Sequence, residues 1–173
     1  MKIGLFYGST TCYTEMAAEK IQAAMGTDLV EIFNIKDVPL SDCLQYDIII
    51  FGISTWDFGE LQEDWESSWD DITSLNLQDK IVALFGLGDQ VGYGQWFQDA
   101  LGMLHDQIIP QGANIIGYWP NQGYEFEESK ALTPDKDFFV GLSLDDETQY
   151  DLSEQRIENW SEQILEEMSE LLA

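Results

Sequence analysis

Six consecutive residues near the start of the chain combine hydroxyl side chains with the beginning of a helix. A short apolar run ends at Gly8, and a helical pattern with Ala17, Ala18 and Ile21 follows the six residues. Such a loop offers free backbone N–H groups, the positive end of a helix dipole and O–H donors, which together suit a phosphate. An ordinary turn, in which Ser and Thr cap the helix, explains the same stretch equally well. The six residues are Ser9, Thr10, Thr11, Cys12, Tyr13 and Thr14.

Two aromatic residues stand in turn-forming segments that follow later apolar runs. Trp56 lies in TWDFGE, residues 55–60, and Tyr93 lies in LGDQVGYG, residues 87–94. Two aromatic planes on facing loops could clamp a flat ring. With a phosphate site at one end, such a clamp would suit a mononucleotide with a large heterocycle. FMN fits this description best.

Other chemistries lack the residues that they require. No Gly-Lys pair occurs, which excludes a Walker P-loop, and no second glycine follows Gly8 until Gly26, which excludes a dinucleotide fingerprint. Cys12 and Cys43 form no CxxC or metal-ligand cluster, so disulfide and zinc sites are poorly supported. His105 is the only histidine and lies in a helical pattern, so we expect it to be structural or solvent-facing.

The elements that must position these residues follow from the apolar patterns. Apolar runs predict strands at about residues 3–7, 29–34, 47–54 and 80–86, and a last strand at 114–119 and 138–144 that an excursion at 120–137 divides. Helical periodicity predicts helices at about residues 11–25, 63–72, 96–109 and 153–172.

Strands that alternate with helices predict an α/β fold with right-handed crossovers. We expect one domain over residues 1–173, a doubly wound five-stranded parallel sheet with helices on both faces and the last strand split by an insertion. Ligands of such folds bind beyond the carboxyl ends of the strands. The loops after the first, third and fourth strands should therefore meet at one site.

At this point the chain resembles the flavodoxins, specifically their long-chain class, over essentially its whole length. Flavodoxin with FMN is itself a standard example of ligand binding at this edge of a sheet. The resemblance rests on four segments, which are specific only in combination: GSTTCYT at 8–14, TWDFGELQ at 55–62, GLGDQVGY at 86–93 and FVGLSLD at 139–145.

The resemblance implies roles for residues that match the family's motifs. Residues 9–14 would cradle the FMN phosphate, and Trp56 and Tyr93 would stack on the two faces of the isoalloxazine. The Asp57-Phe58 peptide, before Gly59, matches the one that turns its carbonyl toward flavin N5 when the flavin takes up its first electron. Residues implied to contact the ring or the ribityl chain are Thr55, Gly88, Asp89 and Gln98.

One position departs from the family's pattern. Cys12 stands where a glycine is usual, and Tyr13 stands where a small or polar residue is usual. Because glycine tolerates positive φ, the loop backbone could differ slightly here. We expect Cys12 to be a buried structural thiol with no catalytic role.

The charge balance bears on redox properties and on partners. The chain has 33 acidic and 7 basic residues and a formal net charge of −26, which repels nucleic acid and anionic membranes. The nearest lysines to the phosphate loop are Lys2 and Lys20, so neutral donors would hold the phosphate. Carboxylates expected around the flavin, which would lower its potential, are Asp89, Asp145, Asp146 and Glu147.

By resemblance, the function is that of a low-potential one-electron carrier that uses non-covalently bound FMN and is not an enzyme. Its partners would be a flavodoxin/ferredoxin-NADP reductase and electron-accepting enzymes with basic docking surfaces. We expect a monomer. We also expect a cytoplasmic protein, because the first apolar run is too short for a signal peptide. Two alternatives stay open: an FMN-dependent NAD(P)H:quinone-type reductase, and a binding module without the cofactor.

Overall fold

A central parallel sheet organises the computed structural model, which describes residues 1–173. Its hydrogen-bonded order is β2-β1-β3-β5-β6, with β9 beside β5 and the short β4 antiparallel to β3, while β7 and β8 form a separate antiparallel pair. The strands are β1 (Ile3–Tyr7), β2 (Val30–Asn34), β3 (Ile48–Trp56), β4 (Glu60–Leu61), β5 (Ile81–Leu87), β6 (Asn114–Ile116), β7 (Trp119–Pro120), β8 (Phe138–Phe139) and β9 (Leu142–Leu144).

Helices cover both faces of the sheet. They are α1 (Tyr13–Met25), α2 (Glu63–Ser67), α3 (Trp69–Ile72), α4 (Asp99–Ile108) and α5 (Tyr150–Leu172), with 3-10 helices at Leu40–Gln45 and Ile109–Gln111. Every residue of β1 and β5 is buried, as expected for strands covered on two sides. Alternate strand residues supply two separate cores, one packed against α1 and α5 and the other against α3 and α4. The predicted doubly wound α/β fold is confirmed.

The fifth sheet position is shared by two strands, as the sequence predicts. β6 pairs with the first half of β5 and β9 pairs with its second half. β6 ends at Ile116 rather than continuing to 119, because Gly117 turns the chain with φ of 83°. A Cβ atom at Gly117 would lie 3.0 Å from Nε1 of Trp160, so only glycine fits this turn.

The insertion between β7 and β8 is fastened to the body of the fold through Tyr124. Its hydroxyl donates to the Ser143 carbonyl oxygen at 2.5 Å and accepts from Nε1 of Trp119 at 2.8 Å. The Arg156 guanidinium of α5 lies 4.1 Å from the centre of the Tyr124 ring. The long excursion is therefore held by a half-buried aromatic side chain.

Two predicted helices begin or break differently in the structure. The helix predicted from about residue 96 begins at Asp99, because Gln98 adopts a left-handed conformation with φ of 61°. The region around residues 63–72 forms two short helices that separate at Ser68. Trp65 is fully buried there, and its Nε1 donates to the Gly52 carbonyl oxygen at 2.8 Å.

Acidic side chains outnumber their ionic partners throughout the fold. Lys80–Asp47 and His105–Asp106 are the only ion pairs, each at 3.5 Å, and the second requires a protonated histidine. No helix combines the length and apolar character needed to cross a membrane. On α5, five exposed glutamates recur at every fourth position, an arrangement in which like charges repel. They are Glu154, Glu158, Glu162, Glu166 and Glu170.

Salt should therefore stabilise the protein. Raising NaCl from low concentration to about 0.5 M screens the carboxylates and should raise the melting temperature by about 5 °C. The matched variant Glu162→Gln/Glu166→Gln should melt higher in low salt and gain less from added salt. Calorimetry checks both, and a melting temperature independent of salt would contradict the expectation.

Candidate functional site

Strand register brings three loops to one edge of the sheet. Tyr7 at the end of β1 pairs with Gly52, and Ser54 of β3 pairs with Leu87 at the end of β5. A cavity of about 380 Å³ opens between the loops that follow these strands and the turn after β9. Its lining residues are Thr11, Tyr13, Thr14, Ser54, Thr55, Trp56, Asp57, Leu87, Gly88, Asp89, Tyr93, Asp146 and Glu147. The predicted convergence of the three loops is confirmed.

One end of the cavity is built from the loop before α1. Thr11, Tyr13 and Thr14 line it, and no side chain caps the first turn of α1. The backbone N–H groups of that turn are therefore available to a ligand. The hydroxyl oxygen of Ser9 is buried in the same loop without a hydrogen-bond partner, and such an atom in a native fold calls for a ligand or water.

The other end of the cavity has two aromatic walls. Trp56, half-buried at the end of β3, donates from its Nε1 to the Ser54 hydroxyl at 3.0 Å, which fixes the indole plane. Tyr93 is 37% exposed. Its loop is closed by a hydrogen bond from the Tyr93 N–H to the Asp89 carbonyl oxygen at 3.1 Å. A flat ring could enter between these two side chains.

A tight turn carries the chain from β3 into β4 beside Trp56. Asp57 has φ of 44° and Gly59 has φ of 87°. A Cβ atom at Gly59 would also lie 3.0 Å from a carboxylate oxygen of Asp99, so the turn rests on the start of α4. Thr55 strengthens this contact, because its hydroxyl accepts from the Ala100 N–H at 3.0 Å.

Phe58 projects outside the cavity and forms an exposed aromatic surface with its neighbours. It is 66% exposed. Its ring packs edge-on against Trp96 at 5.0 Å and against Tyr93 at 6.1 Å between ring centres. An apolar surface thus borders the rim of the cavity at Tyr93.

Gln98 does not line the cavity, although the resemblance implied a contact with the ring. Its side chain is fully buried, and Nε2 donates to the carbonyl oxygens of Gly86 at 3.2 Å and Leu144 at 3.0 Å. The left-handed backbone at Gln98 directs the side chain beneath β5 and β9. It therefore joins two strands under the site. Five other candidate residues lie in the predicted loops but do not line the cavity. They are Ser9, Thr10, Cys12, Phe58 and Gly59.

Asp145 is a structural carboxylate, which corrects its expected place around the ring. It is fully buried, and its oxygens accept from the Gln90 N–H at 3.0 Å, from Gln90 Nε2 at 2.9 Å and from the N–H groups of Glu147 and Thr148. These bonds hold the turn after β9 against the loop after β5. The carboxylates that do line the cavity are Asp57, Asp89, Asp146 and Glu147.

The cavity is electrostatically negative. No lysine or arginine is among its lining residues. Burial raises the pKa of Asp146 above its ordinary value, although a hydrogen bond from Ser153 and the charge of Lys20 oppose that shift. An anionic group bound here would be held by neutral donors.

The expectation that Cys12 is buried was wrong. Its side chain is exposed, and its backbone keeps the left-handed conformation usual for glycine, with φ of 71°. The loop geometry therefore survives the substitution, at the cost of the strain that a Cβ brings to this region. Cys43, in contrast, is buried, and burial raises the pKa of its thiol to about 12.

Sequence reasoning missed Ser54, Leu87 and Gln62. Ser54 and Leu87 line the cavity because they end buried strands, a position that the strand pattern could have indicated. Gln62 is fully buried behind the first loop and donates to the Thr10 hydroxyl at 3.1 Å. Its role depends on tertiary contact, and no local pattern reveals it.

Comparison with known proteins gives one consistent result. Residues 5–160 match the family model described as Flavodoxin. The chain is 59% identical to flavodoxin 2 of Escherichia coli K12 over 170 residues, which is 98% of each chain. It is 47% identical to a flavodoxin of Synechococcus elongatus over 167 residues, 96% of this chain and 97% of the other.

A solved structure agrees with these relatives. Flavodoxin of Fusobacterium nucleatum, solved bound to flavin mononucleotide, superposes with a TM-score of 0.90 at 28% identity. The match covers 96% of this chain and 98% of the other. The fold and the edge of the sheet that carries the cavity are thus shared with a protein that binds FMN.

The two cysteines should differ in reactivity. In the native protein, one thiol should react rapidly with a disulfide reagent such as DTNB, because Cys12 is exposed and Cys43 is buried. Two thiols should react after denaturation. Cys12→Ser should abolish the rapid reaction in the native protein and leave only the slow reaction of Cys43. Two rapidly reacting thiols in the native protein would contradict the structure.

Proposed function

This chain belongs to the flavodoxin family, and we propose that it holds FMN in the cavity between the first loop, Trp56 and Tyr93. It is an FMN-based electron carrier and not an enzyme. The observation that carries the proposed site is the cavity itself. It has hydroxyl groups and a helix N-terminus at one end and two aromatic side chains at the other.

The residues of the first loop suit the phosphate of FMN. A phosphate at the start of α1 would receive backbone N–H groups and the unpartnered Ser9 hydroxyl. Thr11 and Thr14 add O–H donors from the lining. Thr10, Cys12 and Tyr13 complete the loop, and their backbone N–H groups would add donors to the phosphate site.

The residues of the second and third loops suit the ring. Trp56 and Tyr93 would stack on its two faces, with Thr55, Gly88 and Asp89 at its edges. The turn formed by Asp57, Phe58 and Gly59 lies next to Trp56, so its peptide groups would face the ring edge. Gln98 would act indirectly, through its bonds to β5 and β9.

The chemistry that bound FMN supplies is the uptake and release of single electrons. The cavity's own carboxylates oppose any added negative charge. Each unit charge at about 10 Å costs roughly 0.4 to 1.7 kcal/mol for an effective dielectric between 80 and 20. Because about 1.4 kcal/mol corresponds to about 59 mV for one electron, several such charges give a low potential.

Redox proteins in general are the partners of such a carrier. We propose, more specifically, that a flavodoxin/ferredoxin-NADP reductase supplies electrons and that acceptor enzymes dock through basic surfaces. The support is the net charge of −26 and the exposed Phe58 beside a cavity ringed by carboxylates. Two free cysteines suit a reducing compartment, which supports the predicted cytoplasmic location.

The quinone-reductase alternative is not favoured. A nicotinamide nucleotide would bring phosphates into a cavity that has four carboxylates and no basic lining residue. The relatives with 59% and 47% identity are named flavodoxins, and they match this chain almost from end to end.

Stacking by Tyr93 is tested by Tyr93→Ala. The change should weaken FMN binding by about tenfold, because it removes aromatic contact area. It should also raise the potential of the second electron, because an electron-rich face is lost. Val91→Ala is the control in the same loop, since Val91 is 70% exposed and does not line the cavity. An unchanged potential in Tyr93→Ala would contradict the stacking assignment.

Electron relay separates a carrier from an enzyme. The protein alone should not oxidise NAD(P)H steadily, whereas with a flavodoxin/ferredoxin-NADP reductase it should accelerate reduction of a basic acceptor such as cytochrome c. Its relay rate should fall as NaCl rises from about 20 to about 300 mM, because salt screens docking. Steady NAD(P)H oxidation by the protein alone would favour the reductase alternative.

A further inference from the structure

We propose that Gln62 is a positioning residue that fastens the phosphate loop, residues 9–14, to the Trp56 hairpin, which β3 and β4 form, and thereby sets the preference for FMN over riboflavin. The inference rests on the proposed FMN site and adds to it a residue outside the cavity. Gln62 is fully buried and does not line the cavity. Any effect that it has on the ligand must therefore pass through the loop that it holds.

All the hydrogen-bonding capacity of the Gln62 side chain is used. Its Oε1 accepts from the N–H groups of Asp64 at 3.1 Å and Trp65 at 3.2 Å, at the start of α2. Its Nε2 donates to the Asp64 carboxylate at 2.9 Å and to the Thr10 hydroxyl oxygen at 3.1 Å. The bond to Thr10 is the only one that reaches the phosphate loop.

The beginning of the loop is also shaped to receive Gln62. A Cβ atom at Gly8 would lie 2.2 Å from the Gln62 Oε1 and 2.9 Å from Cδ1 of Trp65. Only glycine lets the chain leave β1 this close to the buried amide. The loop therefore rests on Gln62 at Gly8 and is bonded to it at Thr10.

Gln62 connects this loop to the aromatic end of the site through chain continuity. It directly follows β4, whose two residues pair with Thr55 and Trp56 of β3. The Trp56 hairpin keeps its own pairing if the bond to Thr10 is lost, but the phosphate loop loses its attachment to that hairpin. Loss of this bond should therefore weaken binding at the phosphate end of a ligand and leave binding at the ring end unchanged.

Thr10→Val tests this directly, because it removes the accepting hydroxyl from an exposed side chain of similar shape. Each variant is saturated with FMN or with riboflavin, and dissociation constants are read from recovered flavin fluorescence on dilution. Loss of one hydrogen bond should weaken FMN binding by about threefold to tenfold. Riboflavin, which lacks the phosphate, should change by less than about twofold.

Matched variants separate positioning from general damage. Asp64→Asn removes the charge from the other acceptor of the same amide and should leave the FMN-to-riboflavin ratio unchanged. Thr10→Ser, which restores an accepting hydroxyl, should recover the wild-type ratio. In a Gln62→Met background, adding Thr10→Val should change the ratio no further, because both substitutions remove the same bond.

Two results would overturn the inference: wild-type affinity for FMN in Thr10→Val, or equal weakening of FMN and riboflavin binding, which would indicate a general loss of fold. Either would leave the proposed function intact. A wild-type protein that binds neither flavin would instead contradict the proposed function, so the two failures are distinguishable.

Discussion

In-register parallel pairing of β1 with β3 and of β3 with β5 brings the carboxyl ends of three buried strands to one edge. Buried strands have no freedom to slip, because a shift of one residue would turn their apolar side chains to the wrong core. The loop after β1, the Trp56 hairpin and the loop of Tyr93 therefore start from fixed points. Secondary contacts, such as Gln62 with Thr10 and Gln90 with Asp145, then set the distances between these loops.

Negative charge is the second constraint, and it acts on stability and function in opposite directions. Unpaired carboxylates repel one another across the surface, and the glutamate stripe on α5 adds to this cost. At the cavity the same repulsion is useful, because it disfavours an added electron on a bound flavin and so lowers the potential. Neutral donors can still hold a phosphate there, since N–H and O–H groups converge at the start of α1.

Most of the fold was predictable from the sequence because its signals are local. Apolar runs located the central strands, and the split last strand followed from the polar excursion between residues 120 and 137. The lining residues Trp56 and Tyr93 were predictable because loops after buried parallel strands converge. Tertiary contacts decided the rest: Gln98 turns under the sheet, Asp145 is enclosed by N–H donors, and Cys12 keeps a left-handed backbone in solvent. No local pattern distinguishes these outcomes.

An acidic cavity without lining cations makes this chain a one-electron carrier of low potential. Stepwise anaerobic reduction of the FMN-loaded protein, followed by its visible spectrum against reference dyes, tests that claim most directly. We expect two separate one-electron steps, with the potential of the second step well below that of the corresponding step of free FMN and raised by added salt. A single two-electron step, or a second step at the potential of free FMN, would contradict it.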